Sequence, residues 1–338
     1  MKFSVVIVNY ASWPLTVRCV ESLQATGYTG FEVVIVDNDR PEPPEIGSPV
    51  RVIRNLGNAG VARAWNQGIS ASTGEIVVLI NPDTVVGSDF FERVEAFFEE
   101  NASAGVAGPR ILDDDGTLQL SARREVSMIS GLFGRTSLLT RLFPRSALVR
   151  SQFPAITYDA VSTQVDWVSG ACMAVRRRVL EEIGPLDERF FMYFEDADLC
   201  RRAREAGWSV YYLPHIEVAH GAGGSTRSRP HAIWRLHKSA FLYHRKHGDH
   251  GPLNFYSVLV LLGLAGRALA KLGLSLVRSW NARPLVQGRN GSFWFRVRAK
   301  LYSEAPRESR PEPRESPTEA ARRAAPQEDC EGRCWRRD

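Results

Sequence analysis

The chain lacks the usual marks of a secreted or membrane-spanning protein. Its five cysteines, Cys19, Cys172, Cys200, Cys330 and Cys334, are odd in number and irregularly spaced. That is no disulfide framework, and it favours a reducing compartment. Cys330 and Cys334 have no histidine nearby to complete a zinc site. The apolar run Phe3–Val8 follows Lys2, but Asn9 ends it too early for a signal peptide, so a buried strand is expected. No apolar stretch reaches about 20 uninterrupted residues, since Arg267 and Lys271 break the best one, Leu253–Leu276. Neither the Gly-x-Gly-x-x-Gly fingerprint nor the Walker loop occurs. There is no internal repeat.

What is present fits a packed globular protein. Of 338 residues, 44% are hydrophobic and 24% charged, which suffices for a core. Short β-branched runs at Phe3–Val8, Glu32–Val36, Val50–Arg54, Glu75–Ile80 and Gly105–Pro109 alternate with helical patterns at Pro14–Thr26, Ala59–Ser72 and Asp89–Asn101. Strands that are apolar throughout are expected in a parallel sheet covered on both faces. The alternation predicts an α/β layered fold. Further on, Asp113–Gly116 reads as a turn, Met128–Leu148 as an apolar insert, and Val165–Val175 as strand. Helices Arg176–Ile183 and Glu195–Ala206 and a strand Trp208–Leu213 follow.

The formal net charge is +5, and part of the excess is localised. From His250 to Ser303 there is no Asp or Glu, whereas Arg267, Lys271, Arg278, Arg283, Arg289, Arg296, Arg298 and Lys300 all fall there. An apolar helix with unbalanced basic charge suits an anionic membrane interface. The bland alternative is a core helix with a solvated basic face. Trp280 and Phe293–Phe295 are bunched rather than interleaved along a groove, which argues against nucleic acid. Residues 303–338, rich in Pro, Glu, Arg and Ala, are expected to be disordered. Three regions result: 1–248, 249–302 and 303–338.

Five clusters can carry chemistry. Asp37 ends a buried strand, where open α/β sheets bind ligands, and its carboxylate can accept from a nucleobase or ribose. Asn55–Gly68 leads small residues into a helix start, which offers backbone N–H groups to an anion, with Arg63 one turn inside. Asp83 closes Asn81-Pro82-Asp83 after another buried strand and can bind a hard divalent cation. Glu195, Asp196 and Asp198 follow the aromatic run Phe190–Phe194; a carboxylate behind such a wall can be held partly desolvated as a general base. His215 and His220 come last, His220 before a Gly-rich loop that suits a metal ligand with a lid. Each has a plainer reading as cap, turn, dipole partner or structural histidine.

Taken in order, Ser4–Tyr10, Val36-Asp37-Asn38, Asn58-Ala59-Gly60 to Asn66-Gln67-Gly68, Asn81-Pro82-Asp83, Trp167-Val168-Ser169-Gly170, Phe194–Asp198 and His220 resemble the family 2 glycosyltransferases of GT-A fold, especially their rhamnosyltransferase-like branch. The resemblance runs from about Ser4 to Gly248. It implies a Rossmann-like mixed sheet flanked by helices, which the membrane-associating helical segment read above from composition would follow. It also implies donor contacts from Val8, Asn9, Tyr10, Asp37, Asn38, Asn58, Gly60, Arg63 and Asn66. Asp83 and His220 would hold Mg2+ or Mn2+ on the donor diphosphate. Asp196 would be the base, with Glu195 beside it, and Trp167 and Gly170 would line the acceptor pocket. Asn81 departs from the commoner family pattern, which has an Asp there.

The implied activity is inverting transfer of one sugar, with rhamnose leading. The donor is a nucleotide-diphosphate sugar, and the acceptor a saccharide or polyprenyl-linked saccharide of the cell envelope. The place of action is the inner face of the cell membrane. No Gln-x-x-Arg-Trp motif occurs, so processive synthesis is not expected. A sugar-phosphate nucleotidyltransferase would carry a Gly-rich basic loop after the first strand, where this chain has Asn9–Trp13. A catalytically inactive membrane-docking domain would have no use for Glu195, Asp196 and Asp83 together.

Overall fold

The computed structural model describes residues 1–39, 42–47, 50–124, 161–221 and 229–248, and 258–270 apart from 259, 260 and 267. All lie in the first of two units, Met1–Tyr302. The insert Met128–Leu148, most of Leu253–Lys300 and the tail from 303 fall outside the described residues.

The strands are β1 (Phe3–Asn9), β2 (Phe31–Asp37), β3 (Val50–Arg54), β4 (Ile76–Ile80), β5 (Thr84–Val86), β6 (Ala104–Leu112), β7 (Ala122–Arg123), β8 (Thr163–Gln164), β9 (Trp167–Val168), β10 (Cys172–Arg176) and β11 (Ser209–His220). The helices are α1 (Trp13–Gln24), α2 (Val61–Ser70), α3 (Phe90–Glu100), α4 (Arg177–Ile183), α5 (Glu195–Glu205) and α6 (Arg229–His247). The main sheet runs β3-β2-β1-β4-β10-β6-β11-β5, with β8 beside β11, while β7 and β9 form a small ribbon. Neighbours from β3 to β4 are parallel; β10 is antiparallel to both β4 and β6, and β5 is antiparallel to β11.

Side chains alternate across each strand, so the sheet feeds two cores. Phe3, Val5 and Ile7 face the layer holding Cys19, Val20 and Leu23 of α1 and Phe90–Phe98 of α3. Val6, Val77 and Leu79 face the layer with Trp65 of α2 and Leu199 of α5. Gly68 lets α2 lie flush on β1: a Cβ there would sit 2.2 Å from Val6 Cγ1.

The expected strands and helices appear within a few residues of their predicted bounds. Three differences bear on the site. The expected strand Val165–Val175 is broken into β9 and β10 around Ser169–Ala171. Strand β5 is present although it is only three residues long. β11 continues past Pro214 to His220 through a register shift between Leu213 and Glu217. That extension pairs His220 with Thr84, directly after Asp83.

Candidate active site

The carboxyl ends of β1, β2 and β4 share one edge of the sheet, and the chain order reverses between β1 and β4. Ligands bind in the crevice at such a point. At the end formed by β1 and β2, Asn9 Nδ2 donates to Asp37 Oδ1 at 2.8 Å. The hydroxyls of Ser12 and Thr16 lie 3.0 and 2.9 Å from Asn9 Oδ1, which fixes the orientation of that amide. Asp37 is fully buried, yet its Oδ2 has no partner. Burial pushes its carboxyl up, against bonds from Asn9 and the Asp39 amide. A buried acceptor left unpaired costs about 1–3 kcal/mol, and a base or ribose donor would satisfy it. Val8 and Tyr10 are half-buried beside this pair.

The loop before α2 is held rather than loose. Asn38 Nδ2 donates to the Gly60 carbonyl, and Asn55 Nδ2 donates to Asn38 Oδ1. Asn58 Oδ1 accepts from the Gly60 amide at 3.0 Å. Gly60 has φ +89°, and a Cβ there would lie 2.8 Å from the Phe191 carbonyl, which accepts from the Val61 amide. Only glycine tolerates both conditions. Arg63 is exposed, 4.0 Å from Glu188. Asn66 is engaged elsewhere: its amide bridges the main-chain O and N of Leu186, both at 2.9 Å, and reaches Glu188. It ties α2 to the segment leading into the aromatic run.

At the next station Asp83 and His220 meet. Asp83 is 6% exposed, and its Oδ1 lies 3.2 Å from His220 Nε2 with no hydrogen-bond partner. Asn81 Nδ2 lies 3.1 Å from the same nitrogen. Two ligands at right angles around an ion with bonds of about 2.1 Å stand about 3.0 Å apart, so this pair suits one edge of a divalent-cation shell. Among the described residues no group of three or more His, Cys, Asp and Glu side chains is placed to hold a metal. The donor's own phosphates would have to supply further ligands.

The end that carries Glu195 and Asp196 is built from β9, β10 and α5. Tyr193 and Phe194 both adopt left-handed backbone, φ 72° and 69°, and turn the chain sharply into α5. Such strain in bulky residues concentrates at functional sites. Glu195 is buried with Oε2 unpartnered. Asp196 stays partly exposed, its Oδ2 accepting from the Gly170 amide at 2.9 Å and its Oδ1 from the Ala197 amide at 2.8 Å. Burial raises both carboxyls, and the charge of Asp196 raises Glu195 further. Trp167 lies opposite Arg123 in the small ribbon, whose guanidinium stacks 5.0 Å over the indole. That cation also acts to lower Asp196.

Helix α6 clamps this end. Ser239 Oγ donates to the Met192 carbonyl, Arg235 stacks 3.6 Å over Phe191, and Tyr243 packs on Phe194. Asp198 is fully buried and meets Arg202, Lys246 and His247 at 2.9, 2.7 and 2.7 Å. Burial alone would raise its carboxyl; these partners hold it below the ordinary range. The third acid of the run is therefore structural.

The sequence profile of the glycosyltransferase-like family 2 matches residues 1–241. The chain is a family 2 glycosyltransferase. It is 31% identical over 261 residues to the N-acetylglucosaminyl-diphospho-decaprenol L-rhamnosyltransferase of Mycobacterium tuberculosis strain H37Rv, covering 71% of this chain and 82% of the relative. It is 39% identical over 82 residues to rhamnosyltransferase WbbL of Escherichia coli K12, covering 24% of this chain and 31% of that one. Among solved structures, the mannosyltransferase PcManGT of Pyrobaculum calidifontis in complex with GDP-Man and Mn2+ aligns with a TM-score of 0.49 at 16% identity, covering 89% of this chain and 84% of that one.

Two residues of the glycosyltransferase come to the site without having been expected there. The Asp113–Gly116 turn forms, with the Gly116 amide donating to the Asp113 carbonyl. Its middle residue, Asp114, has a buried unpartnered Oδ1 and is raised by burial and by the charges of Asp113 and Asp83, with His220 opposing. Gln119 joins the same hairpin to His220. His215, by contrast, is exposed at the far side of β11, where its carbonyl accepts from Arg93.

Proposed function

We propose that this glycosyltransferase moves one sugar, rhamnose, with inversion from a nucleotide-diphosphate donor to a hydroxyl of a polyprenyl-diphosphate-linked saccharide. The observation that carries the reading is the pair of buried, unpartnered carboxylate oxygens at the ends of β2 and β4, Asp37 Oδ2 and Asp83 Oδ1, with the acids Glu195 and Asp196 at the start of α5. The first two suit the nucleoside and the cation-bound diphosphate of such a donor. The sugar and the lipid-linked acceptor rest on the mycobacterial relative, matched over 82% of its length.

In this reading Asp37 accepts from the nucleoside, framed by Val8, Asn9 and Tyr10. Exposed Arg63, in the first turn of α2, supplies a positive charge to the diphosphate. Asp83 and His220 would hold Mg2+ or Mn2+, which when bound screens charge on the diphosphate. Asp196 takes the proton of the acceptor hydroxyl. The acceptor oxygen bonds to the anomeric carbon as the bond to the diphosphate breaks, and the nucleoside diphosphate leaves. Each oxygen of Asp196 accepts one backbone N–H and keeps lone-pair capacity for that proton. Trp167 lies beside the base as an acceptor wall.

Membrane association is part of the proposal. Among the described residues no helix is long and apolar enough to cross a membrane. Val258, Leu261, Leu262 and Leu269 are nonetheless exposed, as is Trp234 on the acid-free helix α6. Exposed apolar groups next to unbalanced basic charge suit an anionic bilayer surface. Residues 1–248 would then be the catalytic part and 249–302 the docking part.

The test is a transfer assay with dTDP-rhamnose and UDP-sugars, paired with thermal shift by each nucleotide with and without Mn2+. Stabilisation by one nucleotide diphosphate and transfer abolished in Asp196→Asn are expected. Unchanged turnover in Asp196→Asn would remove the base assignment. No transfer from any donor to a lipid-linked acceptor would remove the acceptor class.

A further inference from the structure

The side-chain amide of Gln119 can be oriented from its partners. Its Nε2 lies 2.7 Å from Asp113 Oδ1 and 2.9 Å from the His220 carbonyl, both of which can only accept. Its Oε1 therefore faces His220 Nδ1, at 3.2 Å. An amide oxygen only accepts, so His220 carries its proton on Nδ1. In the neutral ring Nε2 is then unprotonated: its lone pair accepts from the Asn81 side-chain amide at 3.1 Å, with Asp83 Oδ1 3.2 Å away. A nitrogen without a proton cannot donate to a carboxylate oxygen. This explains why Asp83 Oδ1, on a side chain 5% exposed, has no partner.

We infer that Gln119 is a positioning residue for the divalent cation: it locks His220 in the tautomer whose Nε2 is unprotonated and can ligate once the Asn81 amide gives way to the ion. The inference rests on the cation reading of Asp83 and His220 given above. It also bears on the departure at position 81. With Asn81 in place of a carboxylate, the histidine has to be a dependable ligand. A second group that fixes the ring and raises its basicity is how metal-bound histidines are ordinarily supported. Gln119 reaches His220 because the hairpin after β6 folds back on the end of β11, with the Gln119 amide donating to the Ile111 carbonyl.

The test uses the full chain labelled with 15N-histidine and two variants, Gln119→Leu and Gln119→Glu, at a pH where histidine is neutral. Long-range 15N–1H spectra report the tautomer of His220 without metal, and Mn2+ spin resonance reports cation affinity in the presence of nucleoside diphosphate. The wild-type ring is expected with its proton on Nδ1. Gln119→Leu should lose that preference and weaken Mn2+ binding about 10- to 100-fold. Gln119→Glu keeps the acceptor while losing both donor bonds, so it should bind Mn2+ close to wild type. A purely structural role would make the two variants equally damaging and would overturn the inference, as would a wild-type ring protonated on Nε2. Should Gln119→Leu fail to fold, the wild-type tautomer and Gln119→Glu still decide. A wild-type protein with the Nδ1 proton but no Mn2+ binding would overturn the underlying cation reading instead.

Discussion

Replacing Gly170 by alanine tests how the base is held. Gly170 has no left-handed backbone; it is glycine for want of space. A Cβ there would lie 2.6 Å from Trp65 Cη2 and 3.4 Å from Asp196 Cβ. Trp65 is 1% exposed between sheet and α2, so it cannot swing away. Overpacking of this kind costs about 1–3 kcal/mol. The strain should push the Gly170 amide from Asp196 Oδ2, its acceptor at 2.9 Å. A hydrogen bond to a charged group is worth about 1.5–3 kcal/mol, so about ten- to hundredfold in kcat should go with it. That bond favours the ionised carboxylate, so its loss raises the Asp196 carboxyl further. The acid limb of the pH–rate profile should then move to higher pH. Trp65→Phe removes the ring edge that the new methyl meets, and in that background Gly170→Ala should cost less of both stability and rate. A variant that loses stability but keeps wild-type kcat and pH profile would refute the claim that this amide positions the base.

Three further outcomes follow from the same geometry. Asp37→Asn should abolish most of the thermal stabilisation by nucleotide while leaving the unliganded protein folded, because the amide keeps an acceptor for Asn9; a thermal-shift titration checks this. Glu195 is raised in the folded state, so its contribution to stability is present below its unfolded value of about 4.3 and is lost as pH rises through the folded value. Glu195→Gln should therefore raise Tm at pH 7, with the gain vanishing towards pH 4. Asp198 is lowered, so its stabilisation is present above about 3.9 and lost as pH falls through the folded value. Asp198→Asn should cost about 3–5 kcal/mol at neutral pH, nearer the lower figure because Lys246 keeps Asp187 at 2.8 Å, and should flatten the acid loss seen by denaturant unfolding.

The parts legible in the sequence were those whose physics is local. Ile76–Ile80 is apolar at every position because both faces of β4 are covered, and the polar Asn81-Pro82-Asp83 after it could only mark the strand end. The small residues of Asn55–Gly60 marked the start of α2. What escaped the sequence was set by distant partners. Strand β5 is too short to carry a pattern, and it exists because β11 pairs with it. β11 itself runs past a proline that reads as a stop, with the register shift absorbing it. Helix α6 is too polar and basic to show an apolar face, and its apolar contacts are with the aromatic run some 50 residues earlier. Asn66 lies in the segment expected to meet the donor, yet its amide is satisfied by Leu186, 120 residues away.

Asp83, just after β4, and Asp196, in the first turn of α5, are joined by one short stretch. The Asn81 amide donates to the Ala171 carbonyl, which also accepts from the Thr84 hydroxyl. Ala171 follows Gly170, whose amide holds Asp196. The turn that presents Asp83 and the turn that steadies Asp196 are thus hydrogen-bonded through two consecutive residues, where β10 starts antiparallel to β4. On the other side, the Phe191 carbonyl ties the α2 start to the lead-in of α5. The Asp83 and Asp196 ends are fixed to one another by main-chain hydrogen bonds on both flanks. Rigid backbone of this kind is what in-line displacement needs, because rate falls steeply when the attacking oxygen and the departing diphosphate lose alignment.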